Sequence, residues 1–520
     1  MKTFSTNFWI MRLQTSFQKN WFCLTAFIIA LSLVNISCSN TQENSANEDP
    51  PNFLLIMSDN HYYKHLGAYG DPVVKTPNID KIAENGVQFM NAFCASPSCT
   101  PARGAMLAGQ DIWRIGQGAN LWSTLSDTIT TYVDLLEESG YAVGHSGKGW
   151  GPGNWEAGGR DRNPAGYSFE SLGEFMDQKE SDVPWSFWIS SRNPHRPFTY
   201  DAGVESGMNL DEVQVPPYLP DIPEVRADMT DYYYQIQQFD DQVATAIAAL
   251  EESGQMENTI VMITADNGWM MPRGLANLYD FGTQIPLIIS WPDRFEPNRK
   301  VTDLVNLNDL APTILQLAGI EVPEEFTAQS LLPILESTEE GQVVEERDEV
   351  YIARERHAIA RQGGPGYPGR AIRTHDYLYI YNFEPDRWPA GDPPLFADID
   401  AHMLQYESPT KEYMMMYKDN PDVAPLYEDA FLKRPQLELF DLNRDPYQMN
   451  NVADNPEYKE IRQELHDKLF SYLRETKDPR VTGGEIIWES QPYYWEDDWV
   501  GTPREEAREK FNLDEEYPYR

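Results

Sequence analysis

The chain has 520 residues, with 82 acidic against 41 basic side chains and a formal charge of −41. That balance argues against nucleic acid or an anionic membrane surface as a partner, and any anionic ligand must be met by a local cluster of Arg, Lys and His. The length suits one large domain with a smaller partner, enough to bury a substantial core.

Residues 1–38 read as a targeting segment. Lys2, Arg12 and Lys19 give a basic start, and Trp21–Ile36 is an apolar run too short to span a bilayer comfortably. It ends Val34-Asn35-Ile36-Ser37-Cys38 before the polar stretch Ser39–Pro51. This resembles a bacterial lipoprotein signal, with cleavage before Cys38 and lipid added to it. The implied location is the cell envelope of a Gram-negative bacterium, with membrane contact only through that anchor. Asn35 departs from the usual aliphatic residue, so simple secretion is the alternative, and Met11 is an alternative start to Met1. Residues 39–50 read as a linker. Cys23 and Cys38 belong to this N-terminal part, so only Cys94 and Cys99 belong to the folded body.

The first expected strand, Asn52–Met57, is near-continuously apolar, as a strand covered on both faces should be. It delivers Asp59 and Asn60 at its C-terminal end, the usual place for a site in an α/β sheet. Taken alone, the pair reads as a helix cap or turn. Next comes Cys99-Thr100-Pro101-Ala102-Arg103, followed by Gly104–Gly109. Proline is tolerated in a first helical turn, so a helix is expected from about Thr100 until Gly109 ends it. Cys99 then sits at the positive end of the helix dipole, with Arg103 one turn along. Cys94 and Cys99 could pair in principle, but a disulfide would consume the sulfur at the positive end of this helix, and Cys94 reads as a plain buried thiol.

The run Thr76–Gly109 resembles the signature region of the sulfatases, and with the matches below the resemblance covers most of residues 51–480. It implies an alkaline-phosphatase-like α/β fold: a large mixed β-sheet sandwiched by helices, with a smaller C-terminal antiparallel-sheet subdomain. It further implies that Cys99 of C-x-P-x-R is converted to formylglycine by a maturation enzyme and that its hydrated aldehyde is the nucleophile.

A helix is expected over Ser126–Ser139 and a strand over Tyr141–His145, leading into Gly147-Lys148-Gly149-Trp150. The strand Trp185–Ser190 leads into Asn193-Pro194-His195-Arg196-Pro197. Lys148 and His195 match two active-site positions of the family. By resemblance the lysine binds sulfate and the histidine positions it or protonates the leaving oxygen. Residues 228–253 follow a helical pattern, with Asp240 and Asp241 expected in solvated or capping roles. The strand Thr259–Thr264 delivers Asp266 and Asn267. With Asp59, Asn60 and Cys99 these resemble the sulfatase metal ligands, and two carboxylates with amide oxygens suit Ca²⁺. Most family members carry two acids in the first pair, and Asn60 replaces one.

Two further departures stand out. The family histidine two residues after Lys148 is replaced by Trp150, read here as an apolar wall for a sugar ring. The family cation four residues before Tyr279 is replaced by Leu275, and Arg273 is the candidate to restore it. A strand is expected over Ile285–Ser290. Arg370–Thr374, Tyr377–Tyr381, Glu438–Leu442 and a helix over Asn455–Glu475 look like the family's C-terminal subdomain. Its edge is expected to present Arg356, His357, Arg387 and Trp388 to a charged sugar. The boundaries expected are a catalytic domain over 51–367, a C-terminal subdomain over 368–480 and an acidic, aromatic tail over 481–520.

The resemblance implies hydrolysis of sulfate esters on a carbohydrate, such as oligosaccharides of ulvan or carrageenan. Asn277-Leu278-Tyr279 and Glu475–Pro479 specifically resemble the sulfamidase-like branch, so an N-sulfoglucosamine sulfohydrolase is the alternative. A phosphodiester or phosphonate hydrolase, or an inactive glycan-binding lipoprotein, are further alternatives that the two departures leave open.

Overall fold

The computed structural model describes residues 49–494, apart from residue 293 and residues 400–407. The expected signal segment with Cys23 and Cys38, linker residues 39–48 and tail residues 495–520 lie outside the described residues.

Strands β1 (Asn52–Ser58), β2 (Val87–Phe93), β3 (Ala142–Gly147), β4 (Tyr167–Ser168), β5 (Trp185–Ser190), β6 (Thr259–Ala265), β7 (Gln284–Ser290) and β8 (Arg299–Asn306) form one sheet. Their spatial order is β4-β3-β5-β1-β6-β7-β2-β8. Strand β7 is antiparallel to β6 and β2, and the other pairs are parallel. Helices α1 (Pro77–Glu84), α2 (Cys99–Ala108), α3 (Tyr132–Glu138), α4 (Pro223–Glu252) and α5 (Leu310–Leu317) flank this sheet.

The two faces can be read from β1. Leu54 and Ile56 enter a core with Ile79 and Ile82 of α1 and Val225, Ile236 and Val243 of α4. Phe53, Leu55 and Met57 enter a second core with Met106 and Leu107 of α2, Val133 and Leu136 of α3 and Ile314 of α5. Successive side chains of a strand point to opposite faces, so helices on both sides require apolar residues at every position of β1.

Element ends follow local chemistry. Helix α3 starts at Tyr132, not near Ser126, because Thr131 and Asp134 form a capping box: each side chain accepts the other's backbone N–H. Helix α4 starts at Pro223, five residues ahead of the expected 228, with proline in its first turn. Asp240 serves as a cap, as expected. Its carboxylate accepts the backbone N–H groups of Asn78 and Ile79 at the start of α1.

A second, antiparallel sheet has the order β12-β11-β10-β9, from β9 (Glu349–Arg354), β10 (Gly369–Thr374), β11 (Tyr377–Asn382) and β12 (Leu437–Asp441). One face packs Ala353, Ile372, Tyr379 and Leu439 against Leu465, Leu469 and Leu473 of α6 (Lys459–Glu475). The other face places Ile352, Ala371, Leu378 and Ile380 in the core shared with α1 and α4. Strand β9 draws on chain upstream of residue 368.

The fold positions a site because β3, β5, β1 and β6 are adjacent and parallel. Their C-terminal ends therefore meet at one edge, and the loops that follow carry Lys148, His195, Asp59 and Asp266.

Candidate active site

Helix α2 begins at Cys99 itself. Ser98 is extended ahead of it, and Gly109 ends it in the left-handed region with φ 58°. A side chain at Gly109 would also strike the Phe326 ring, 2.2 Å from an added Cβ. All ten residues of α2 are buried, Cys99 and Arg103 included. The helix is thus a rod held inside the protein, with its positive end at the sheet edge.

Three side chains converge on the Cys99 sulfur. Its thiol donates to Asp59 Oδ1 at 3.5 Å and to Asn60 Oδ1 at 3.8 Å, and Asn267 Nδ2 donates to the sulfur at 3.7 Å. The backbone N–H of Asn60 donates to Asp266 Oδ1 at 3.0 Å, tying the ends of β1 and β6 together. Arg103 reaches across from α2. Its Nε donates to Asp266 Oδ2 at 2.8 Å, and its Nη1 donates to Gly149 O at 2.7 Å and Ser190 Oγ at 2.5 Å. Lys148 Nζ donates to Asp59 Oδ2 at 2.7 Å.

The charges shape one another. Burial works against the Asp59 carboxylate, but Lys148, His195 and Arg103 outweigh it and hold the carboxyl below its usual range. Burial, reinforced by the Asp59 charge, pushes Asp266 up. Burial, then the charges of Asp266 and Asp59, pushes the Cys99 thiol up. Burial opposes the Lys148 ammonium, yet Asp59 outweighs it and raises the lysine. His195 is lowered by burial against the pull of Asp59, and its Nδ1 donates to Arg196 O at 2.5 Å. Any proton it exchanges with a ligand therefore passes through Nε2.

The donor set fits a metal ion. Ligand atoms of Asp59, Cys99 and Asp266 lie within 4.8 Å of one another, the one such cluster among the described residues. Asn267 Oδ1 is buried beside them without a partner. A buried oxygen left unpaired is costly, and a hard divalent cation would satisfy it.

Other expected site residues lie elsewhere. Trp150 is buried in the core shared with α2 and packs close to Gly104 and Gly153, so it is a core side chain and not an exposed wall. Its backbone is locked by Asn163, which accepts from its N–H at 3.0 Å and donates to its carbonyl at 2.9 Å. Arg273 is turned away: its guanidinium donates to Asp429 O at 3.1 Å and to Gln448 O, and lies 4.3 Å from the Tyr279 ring centre. It does not supply the cation missing at Leu275, although Ala276 N–H donates to Pro97 O and holds that loop two residues from Cys99.

The expected sugar-gripping edge divides, with Arg356 and His357 near Ser98 and with Arg387 and Trp388 engaged elsewhere. His357 stays at the site, its Nδ1 2.8 Å from Ser98 Oγ, and burial pushes it down to about 4. Arg387 pairs with Glu489 at 3.0 Å, while Trp388 packs on Phe396 beneath Lys433. Arg356 is buried and donates to the carbonyls of Gln491 and Pro492. Ser190 and Ser98 escaped the sequence reading, because a lone serine carries no signal of the arginine or histidine it will meet. Cys94 is a buried free thiol, as expected.

Comparison with known proteins gives this geometry a context. The sulfatase family model matches residues 51–320, and that of the C-terminal part of N-sulphoglucosamine sulphohydrolase matches residues 267–392. An ulvan-active sulfatase of Formosa agariphila is 26% identical over 507 residues, covering 93% of this chain and 89% of that protein. Human N-sulphoglucosamine sulphohydrolase is 26% identical over 498 residues, covering 85% and 93%. A solved structure in complex with its substrate D-glucosamine-2-N,6-O-disulfate superposes with a TM-score of 0.61 at 18% identity, covering 84% of this chain and 100% of that one.

Proposed function

The chain belongs to the sulfatase family and hydrolyses sulfate esters, and from that premise we propose that its substrate is a sulfated oligosaccharide, attacked at residue 99. The family generally works with a formylglycine and a divalent metal. Here Cys99 is the residue to be matured, and Asp59, Asn60, Asp266 and Asn267 would hold Ca²⁺ together with it. When present, these groups supply a nucleophilic oxygen and positive charge against the sulfuryl oxygens.

The chain's own residues do the rest. A sulfate ester resists attack because its oxygens repel a nucleophile and its alkoxide leaves poorly, so the site must neutralise charge and deliver a proton. Lys148 and Arg103 bring two permanent cations to the nucleophile, each already fixed by a carboxylate. Fixed donors of this kind need no reorganisation as charge develops. His195 exchanges the leaving-group proton at Nε2. Burial of Cys99, 4% exposed, and of its ring of partners keeps bulk water away.

The observation that carries this reading is the convergence of Asp59, Asn60 and Asn267 on one sulfur atom at the positive end of α2, with an Asp266 carboxylate oxygen within 4.8 Å of it. Mass analysis of the peptide carrying residue 99, from protein made in its own host, tests it. An aldehyde or its hydrate in place of the thiol is expected, and an unmodified thiol throughout would refute it. Hydrolysis of an N-sulfate is the second reading, favoured by the match over residues 267–392. Paired assays on O-sulfated and N-sulfated glucosamine separate the two. We further propose export and anchoring through Cys38. Loss of membrane partitioning in Cys38→Ala would support it, and unchanged partitioning would point to another mode of attachment or to secretion.

A further inference from the structure

We propose that a second sugar site lies beside the nucleophile, built by Trp122 and Tyr493 with Arg356, and that it takes a negatively charged sugar ring adjoining the sulfated one. The proposal rests on the sulfated-oligosaccharide reading.

Three observations support it. First, Trp122 and Tyr493 are both half-buried, their ring centres 6.4 Å apart and tilted by 49°. Tyr494 N–H donates to Trp122 O at 2.7 Å, which joins the C-terminal segment to the loop after α2. That segment is pinned further back, since Trp488 Nε1 donates to Gly116 O at 2.9 Å and Asn120 Nδ2 donates to Trp488 O at 3.0 Å. The aromatic pair is therefore a held surface. Faces of this kind stack on the C–H face of a pyranose and accept a nearby cation.

Second, the Arg356 guanidinium lies 5.7 Å from the Tyr493 ring centre and has no carboxylate partner among the described residues. Its Nη2 donates to Gln491 O and Pro492 O, its Nε is buried without a partner, and among the described residues no hydrogen bond uses Nη1. Nearby Arg354, Arg361 and Arg370 are each paired with a buried acid. Among the described residues, Glu489 and Asp398 are the acids whose charges act on Arg356, and neither forms an ion pair with it. A carboxylate or sulfate on a sugar would match it, and a neutral ring would not.

Third, the place is right. Arg356 N–H donates to Asn120 Oδ1, and Leu121 N–H donates to Arg356 O. The next residue, His357, meets Ser98, which precedes Cys99. Arg356 thus stands one chain step from His357, which meets the residue ahead of the helix, and Trp122 and Tyr493 are joined to it through the Leu121 hydrogen bond and the Tyr493 ring contact.

The test compares wild type, Tyr493→Ala, Tyr493→Phe and Arg356→Gln on p-nitrophenyl sulfate and on uronate-containing sulfated oligosaccharides prepared from ulvan. The ratio of kcat/KM on the oligosaccharide to that on the aryl sulfate should fall roughly tenfold or more in Tyr493→Ala and Arg356→Gln, through KM. Tyr493→Phe, which keeps the ring, should stay within about threefold of wild type. An unchanged ratio, or an equal fall on both substrates, would overturn the proposal. Calorimetric titration of the oligosaccharide into Cys99→Ala, with and without Tyr493→Ala, reads the site without turnover. Binding that weakens with the second change supports it, and binding that does not overturns it. Tyr493-dependent binding with no turnover by wild type on either substrate would refute the hydrolytic reading alone.

Discussion

Arg103 and Asp266 form an ion pair with neither side chain exposed to solvent, Nε to Oδ2 at 2.8 Å. The pair joins α2 to the end of β6, so the cation proposed to act in catalysis is also a structural tie. Breaking a buried pair from one side leaves a charge stranded, at a cost of about 3–5 kcal/mol.

Arg103→Ala should therefore lose both stability and turnover. A fall in melting temperature equivalent to about 3–5 kcal/mol and a loss of roughly 1000-fold or more in kcat/KM are expected. Arg103→Lys keeps the charge but cannot reproduce the bonds to Asp266, Gly149 and Ser190 together, so its activity should fall between the two. Wild-type melting in Arg103→Ala would contradict the structural half of this account.

Chelation should lower activity and melting temperature together, and added Ca²⁺ should restore both. A ligand at about 100 times its Kd adds roughly 2.7 kcal/mol to the folded state, an effect visible in a thermal scan. Asp59→Ala should abolish the Ca²⁺-dependent rise. Full activity in metal-free protein would refute the assignment.

Arg273→Ala and Trp150→Ala should act on stability before chemistry. Arg273 leaves the carbonyls of Asp429 and Gln448 unsatisfied when removed, and Trp150 leaves a cavity against Gly104 and Gly153. Costs of about 1–3 kcal/mol and about 3–5 kcal/mol are expected. A Trp150→Ala protein with wild-type melting but raised KM would restore the sugar-wall role that its burial argues against.

Asp111 should make stability fall as pH rises. Burial pushes its carboxyl up to about 6 from 3.8, against hydrogen bonds from Tyr472 and Thr327. The folded state therefore holds this proton more tightly than the unfolded chain does. Its contribution is fully present below the unfolded value and is lost as pH rises through the folded one, a span worth roughly 3 kcal/mol. Asp111→Asn should narrow the difference in melting temperature between about pH 5 and about pH 8. An unchanged difference would show that another group sets it.

What the sequence made legible was whatever depends on neighbours along the chain. The apolar run of β1, the helix from Cys99 to Gly109 and the polar residues after each parallel strand all follow from local pattern, and the sheet then brings those ends together. Residues whose surroundings come from distant chain were not legible. Arg273 lies two positions from Leu275, but its left-handed backbone, φ 70°, accompanies a side chain bonded to Asp429 and Gln448, far along the chain. Trp150 follows Lys148 closely, yet Asn163 and two glycines fix it inward. Tyr493 could not be linked to Trp122 across 371 positions, since sequence distance hides such a contact.

The closure of α2 also sets an order of events. Cys99 is 4% exposed, and Ser98 beside it is met by His357, 259 positions later. Once that contact forms, an enzyme that modifies the thiol has no approach to it. The maturation proposed for residue 99 would then need a nascent or unfolded chain, and how fast the downstream half folds would decide how long the opportunity lasts. A variant that folds sooner would carry more unmodified thiol, and one that folds late would be more completely matured. The yield of active protein would then depend on a race between two rates, whatever the final stability.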